Sequence, residues 1–167
     1  MGDQDKRSLK AVKTMVSLTH FNGPVWRLLP RELVDTPNTP AQAPEGRFHH
    51  SGQIAAYTSL TAEGAAVAIR RYLDDGIARA LVPMWLNADR VADERGNRGA
   101  SRIWQDIRAA GHPSPTWVFS DAARKTEAHA MLYSSRSRPD LSHVVVFRPD
   151  CLTVLGPITA FNPDIAY

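Results

Sequence analysis

A chain of 167 residues, 43% hydrophobic and 22% charged, has the composition of an ordinary globular domain and is long enough to bury a core without staples. Its net charge of +3 is mild and its basic residues form no run, which argues against duplex nucleic acid and leaves a small anionic ligand compatible. One cysteine, Cys151, excludes an internal disulfide and gives no zinc spacing. No segment reaches the ~18 apolar residues of a membrane span, and the start of the chain carries no apolar signal core, so a cytoplasmic location without membrane attachment is the expectation.

In chain order, residues 1–13 are polar and mixed in charge and read as a flexible lead-in, with one domain following over 14–167. Val25 to Leu29 is a short strand stopped by Pro30. Arg31 to Glu45 carries Pro37, Pro40 and Pro44 and reads as a long loop, the kind that often binds or covers a ligand. Gly46 to Gly52 is a glycine-bounded turn, and Ile54 to Ser59 a strand. Thr61 caps a helix from about Ala62 to Leu73, whose residues Ala62, Ala65, Ala66, Ile69, Tyr72 and Leu73 fall at helical spacing and are expected to face the core.

Arg79 to Leu86 reads as a strand, with Pro83 arguing for an edge or a bulge. Asp89 to Gly99 is charged and glycine-punctuated, hence a loop. Ser101 is expected to cap a helix over Arg102 to Ala110 ended by Gly111, and Ser120 another over Asp121 to His129. Ala130 to Tyr133, His143 to Phe147 and Cys151 to Leu155 are strands, with Cys151 packed inertly. Many short strands with a few inserted helices and no regular β-α-β alternation predict an α+β fold.

Three stretches, taken in order, resemble the RES domain, named for its arginine, glutamate and serine. The first is Val25-Trp26-Arg27-Leu28. The second is the turn Gly46-Arg47-Phe48-His49-His50-Ser51-Gly52, followed by Ala55-Ala56-Tyr57-Thr58-Ser59. The third is Leu132-Tyr133-Ser134-Ser135-Arg136. The likeness spans roughly Val25 to Leu155. It implies an ADP-ribosyltransferase-like fold of mixed sheets with inserted helices, NAD⁺ as substrate, and hydrolysis, phosphorolysis or transfer of ADP-ribose to a protein acceptor. It also implies a toxin neutralised by a helix-turn-helix antitoxin.

Breaking the N-glycosidic bond of NAD⁺ requires an anchored pyrophosphate, a gripped nicotinamide and a stabilised oxocarbenium-like sugar. Arg47 is the candidate anchor, because a guanidinium forks two phosphate oxygens; Arg27 is a second. Tyr57 can stack on nicotinamide or ribose with its hydroxyl in water. Ser135, one residue from Ser134, can bond an amide or a hydroxyl. Arg47, Tyr57 and Ser135 are the candidate catalytic residues. Arg27, Arg47, His49, Tyr57 and Ser135 are the candidate binding residues. His49 and His50 lack a third ligand at useful spacing, so no metal is expected.

The position matching the family glutamate, about three turns along the helix after Tyr57, is occupied by Ala68. Glu63 lies five residues earlier, about 140° around a regular helix, where an acid favours the first-turn dipole. Three possibilities stay open: Glu63 serving from the helix start, a carboxylate from elsewhere such as Glu127 or Asp121, or attenuated chemistry. A catalytically attenuated NAD- or protein-binding module is the rival reading.

Overall fold

The computed structural model describes residues 16–167; the lead-in expected over 1–13 lies outside them. Seven strands form one sheet: β1 (Leu18–Pro30), β2 (Ala56–Ser59), β3 (Arg79–Asp93), β4 (Ala130–Ser134), β5 (Ser142–Val146), β6 (Leu152–Val154) and β7 (Thr159–Ala160). Hydrogen bonding runs β1-β2-β5-β4-β3-β6, and β1 also pairs with β3. The first five strands therefore close into a ring. All pairings are antiparallel except β3 with β4, which is parallel over Val91–Asp93. Three helices, α1 (Ala62–Ile69), α2 (Gln105–Ala109) and α3 (Trp117–Lys125), are inserted between strands. The architecture is α+β.

Alternation along each strand sorts its residues between two cores. Val25, Leu29, Val82, Met84, Val144 and Val146 pack inside the ring. Met131, Tyr133, Val145, Phe48, Ala123 and Phe147 form a second cluster outside it. The outer face of β4 and β5 thus meets the Gly46–Gly52 turn and α3.

Several local expectations give way to tertiary pairing. The first strand starts at Leu18, because β1 and β3 pair from Leu18↔Ala92 to Pro30↔Arg79, with an irregularity between Thr19 and Phe21. Likewise β3 runs to Asp93 through its charged end: Met84, Leu86 and Ala88 are buried while Asn87 and Asp89 are exposed. Pro83 sits mid-strand, neither at an edge nor in a bulge. Its carbonyl accepts from Leu155 N–H at 3.0 Å, so its ring nitrogen faces the same side, between the β6 and β7 pairings, where no ladder donor is needed.

Thr61 caps α1 as its sequence predicts, accepting from Gly64 N–H. The buried residues of α1 are Gly64, Ala65 and Val67, and the chain tightens into a 3₁₀ turn over Arg70–Asp75. The stripe expected to face the core does not do so as a whole: Tyr72 is exposed. Ser101 caps nothing; its hydroxyl donates to the Ser134 carbonyl, and α2 starts only at Gln105. Ser120 lies within α3, buried, donating to the Trp117 carbonyl. Cys151 falls in a short 3₁₀ turn before β6 and packs partly against the inner core.

Candidate functional site

A cleft of about 840 Å³ opens on the outer face of the ring. Its floor comes from β2, β4 and β5 through Tyr57, Ser59, Tyr133 and His143. One wall is α1 and its 3₁₀ extension, from Ala65 to Tyr72; another is the turn bearing Gly46, Arg47 and His49; a third is Ser134–Ser137. Trp26 and Leu28 of β1, Glu45 of the loop before the turn, and Ile103 to Gln105 at the start of α2 also line it. The volume falls in the range that holds a drug-sized or cofactor-sized ligand.

The Gly46–Arg47 turn is held by its own bonds and by α3. Gly46 N–H donates to the His49 carbonyl at 2.9 Å. Trp117 Nε1 donates to the Gly46 carbonyl at 2.8 Å, Thr116 Oγ1 donates to the Arg47 carbonyl, and Arg124 Nη1 donates to the Phe48 carbonyl at 2.7 Å. A Cβ on Gly46 would lie 2.5 Å from His49 Cε1 and 2.9 Å from the Tyr57 hydroxyl, so the position requires glycine for space. The backbone being fixed, the Arg47 side chain keeps its fork available: Nη1 donates to the Arg102 carbonyl at 3.1 Å, and no carboxylate pairs with it among the described residues.

Tyr57 lines the cleft with its ring, but its hydroxyl is not in water. It accepts from Phe48 N–H at 3.0 Å and donates to His49 Nδ1 at 2.8 Å; His49 Nε2 in turn donates to the Ala43 carbonyl at 2.9 Å. The carbonyl can only accept, which fixes the tautomer and the direction of this chain of bonds. Burial raises the Tyr57 pKa, the Phe48 N–H opposing it. His49 therefore touches the cleft while both its ring nitrogens serve the loop. Its neighbour His50 turns away, pairing with Asp121 at 2.9 Å and stacking on Trp117.

Ser135 is 4% exposed and lines the cleft; its Oγ accepts from Arg138 N–H at 3.3 Å. Ser134 also lines it, with its Oγ committed to Gly96 N–H at 3.0 Å. Arg27 stands apart. It shares the inner face of β1 with Val25 and Leu29, is 4% exposed, and donates to the Pro37 carbonyl at 2.7 Å. Burial lowers its pKa to about 10. Trp26 and Leu28, on the opposite face, reach the cleft, so Arg27 holds the Arg31–Glu45 loop and is outside the lining.

Three floor residues, Ser59, Tyr133 and His143, escaped the sequence reading. His143 is 4% exposed, with Nδ1 2.7 Å from Ser59 Oγ; burial, and then the positive charge of Arg47, lower its pKa to about 4. Tyr133 packs edge-on against Phe48 and lies 5.2 Å from the His143 ring; burial pushes its pKa up to about 12, against the charge of Arg47. The charge of Arg47 is thus felt at three floor residues, Tyr57, Tyr133 and His143. Outward alternation on the strand after Tyr57 and on its partners was the available signal; pairing Tyr57↔Val145 and Tyr133↔His143 was not legible from a single chain.

The carboxylates resolve by position. Ala68 lines the cleft, at the place of the missing glutamate. Glu63 is absent from the lining and pairs with Arg138 at 3.0 Å. Asp121 binds His50 and Gln53, and Glu127 lines a smaller depression elsewhere. The acid that does line the cleft is Glu45, forked by Arg108 at 3.0 and 3.1 Å, with Arg108 lying 5.1 Å over Trp117. Among the described residues no group of histidine, cysteine and carboxylate side chains is placed to hold a metal, and no helix is long and apolar enough to cross a membrane.

A closed mixed sheet whose outer face carries an aromatic-floored, arginine-rimmed cleft defines the class as an α+β domain with a ligand-sized cleft on its described surface. The chain belongs to the RES-domain family, whose model matches residues 24–164. Among solved structures it is similar to a chain of the M. tuberculosis MbcT-MbcA toxin-antitoxin complex, at 14% identity and a TM-score of 0.65, with 87% of each chain covered; this likeness shows a shared fold. No curated protein matches the sequence.

Proposed function

We propose that this chain is the toxin of a toxin–antitoxin pair, acting in the cytoplasm, and that its cleft takes NAD⁺ and breaks the nicotinamide–ribose bond. The observation that carries this is the convergence of Arg47, Tyr57 and Ser135 on one cleft of about 840 Å³ in a RES domain. Arg47 forks the pyrophosphate, the Tyr57 ring packs on the nicotinamide half, and Ser135 Oγ bonds its amide or a ribose hydroxyl. The C–N bond electrons leave with neutral nicotinamide, so no acid is required. The sugar is then captured by water, by phosphate or by a nucleophile of a protein acceptor.

The developing cation needs negative charge close by, a large contribution in such sites. Glu45 is the carboxylate within the lining, and Arg108 forks it at 3.0 and 3.1 Å. The partner is an antitoxin of the helix-turn-helix type, covering the cleft beside Arg47 and the Arg31–Glu45 loop. The support for it is the family resemblance and a structural neighbour described as a toxin-antitoxin complex.

A second reading has one observation in its favour, the alanine at position 68 in the cleft wall: a module that binds NAD⁺ and does not cleave it. Incubating the purified chain with NAD⁺, with and without cell extract, and following free nicotinamide tests both. Release of nicotinamide supports cleavage, and dependence on extract supports transfer to an acceptor. Tight NAD⁺ binding without release selects the second reading, and absence of binding overturns both.

A further inference from the structure

Ser59, His143 and Tyr133 form one row across neighbouring strands. Ser59 of β2 and Tyr133 of β4 each stand directly opposite His143 of β5, and all of them line the cleft. They are 3%, 7% and 4% exposed in the order Ser59, Tyr133, His143. Polar atoms of side chains buried to this degree are normally hydrogen-bonded.

The bonds of the row leave one nitrogen over. His143 Nδ1 lies 2.7 Å from Ser59 Oγ, and among the described residues neither side chain makes another hydrogen bond. The Ser59 hydroxyl has a single proton and no other acceptor for it, so it donates to Nδ1. Burial, and then the charge of Arg47, keep the ring neutral, which places its proton on Nε2. Nε2–H has no partner, yet no buried side-chain nitrogen or oxygen among the described residues lacks one. Nε2 is therefore open, and the space it opens on is the cleft that His143 lines.

Tyr57 sets what this donor meets. Tyr57 and Ser59 lie on the same face of β2, two residues and roughly 7 Å apart along the strand. A nicotinamide ring packed on Tyr57 carries a carboxamide on its edge, within reach of the row. The carboxamide oxygen is an uncharged acceptor and suits an uncharged donor, whereas an imidazolium in that place would repel the pyridinium. We infer that His143 Nε2, oriented by Ser59, donates to the carboxamide oxygen of nicotinamide, making His143 a binding residue of the cleft floor and Ser59 a positioning residue. This rests on the reading of the cleft as an NAD⁺ site.

Calorimetric titration of the full chain tests it, with NAD⁺, its thionicotinamide analogue, its acetylpyridine analogue and ADP-ribose. The thionicotinamide analogue replaces the carboxamide oxygen by sulfur, a poorer acceptor. The acetylpyridine analogue keeps the oxygen and lacks the amino group, and ADP-ribose lacks nicotinamide altogether. The expected result is that the sulfur analogue binds about five- to tenfold more weakly than NAD⁺, the scale of one neutral hydrogen bond, and the acetylpyridine analogue within about threefold of NAD⁺. His143→Phe should bring NAD⁺ down to the affinity of the sulfur analogue and leave ADP-ribose within about twofold. Ser59→Ala, which frees the ring to turn and to exchange tautomers, should narrow the same discrimination. If the parent chain binds the sulfur analogue as tightly as NAD⁺, or the acetylpyridine analogue as weakly as the sulfur one, the inference is overturned without any variant. If the discrimination is unchanged in either folded variant, or ADP-ribose weakens in step with NAD⁺, it is overturned and the NAD⁺ reading stands. If neither NAD⁺ nor ADP-ribose binds, both fall.

Discussion

Arg138 Nη1 donates to Glu63 Oε1 across 3.0 Å, which turns the first-turn acid of α1 toward the loop after β4. The cleft wall that α1 supplies is made instead by Ala65, Val67, Ala68 and Ile69. Glu63→Gln is therefore expected to leave nicotinamide release within about twofold of the parent. A loss of about a hundredfold, the scale of a missing transition-state charge contact, in a folded variant that still binds NAD⁺ would make Glu63 the catalytic carboxylate.

Arg47→Ala is expected to abolish measurable NAD⁺ binding while preserving the fold. The side chain gives up one 3.1 Å bond to the Arg102 carbonyl, whereas the turn itself is held by backbone contacts to Trp117 and Thr116. Charged hydrogen bonds contribute roughly 1.5–3 kcal/mol each, so losing both bonds of the fork lowers affinity by about a hundredfold or more. Arg47→Lys is also expected to bind poorly, since a point charge does not replace a fork. Unchanged affinity in titration of either folded variant refutes the anchor.

Tyr57→Phe removes the oxygen that accepts from Phe48 N–H and donates to His49. An unpaired buried donor costs about 1–3 kcal/mol, and in a protein of this size each kcal/mol lowers Tm by about 2–4 °C. Thermal unfolding should therefore shift down by several degrees. Gly46→Ala should act on the same chain of bonds, because its Cβ meets both His49 and the Tyr57 hydroxyl below 3.0 Å. A variant pair with unaltered Tm removes the structural role assigned to this chain.

His143 is held neutral, with a pKa of about 4 against the ordinary 6.5. On unfolding the ring takes up a proton between those values, so the unfolded state binds more protons there and stability rises with pH. The contribution is complete above about pH 6.5 and is lost as pH falls toward 4; in full it is on the order of 3 kcal/mol. Denaturant unfolding at a series of pH values should show His143→Gln with a flatter slope across that window. Identical slopes for the two proteins contradict the burial argument.

Much was settled by the sequence alone where short-range chemistry decides. The Thr61 cap, the proline-rich loop, the glycine-bounded turn, the strand ending at Ser59 and the strand from Ala130, read one residue short of its end at Ser134, follow from side chains acting on backbone a few residues away. The α+β class follows from the order of such segments. Arg47, Tyr57 and Ser135 were recognisable because they lie inside a pattern of neighbours, and the alanine at 68 was visible as a departure from it.

Tertiary structure alone decided the rest, because pairing and burial join residues that chain separation keeps apart. Closure of β1 on β3 extended both strands through Gly23-Pro24 and Asp89-Arg90, against their local composition. It also turned Arg27 inward to the Pro37 carbonyl and away from the cleft. Ser101 and Ser120 have the chemistry of helix caps, but one bonds across to β4 and the other is packed within α3. Glu45, from a loop, and His143, from a strand late in the chain, come to line the same cleft only once the ring has closed. A carboxylate and an imidazole nearly a hundred positions apart share no local signal, and only the folded ring gives them a common environment.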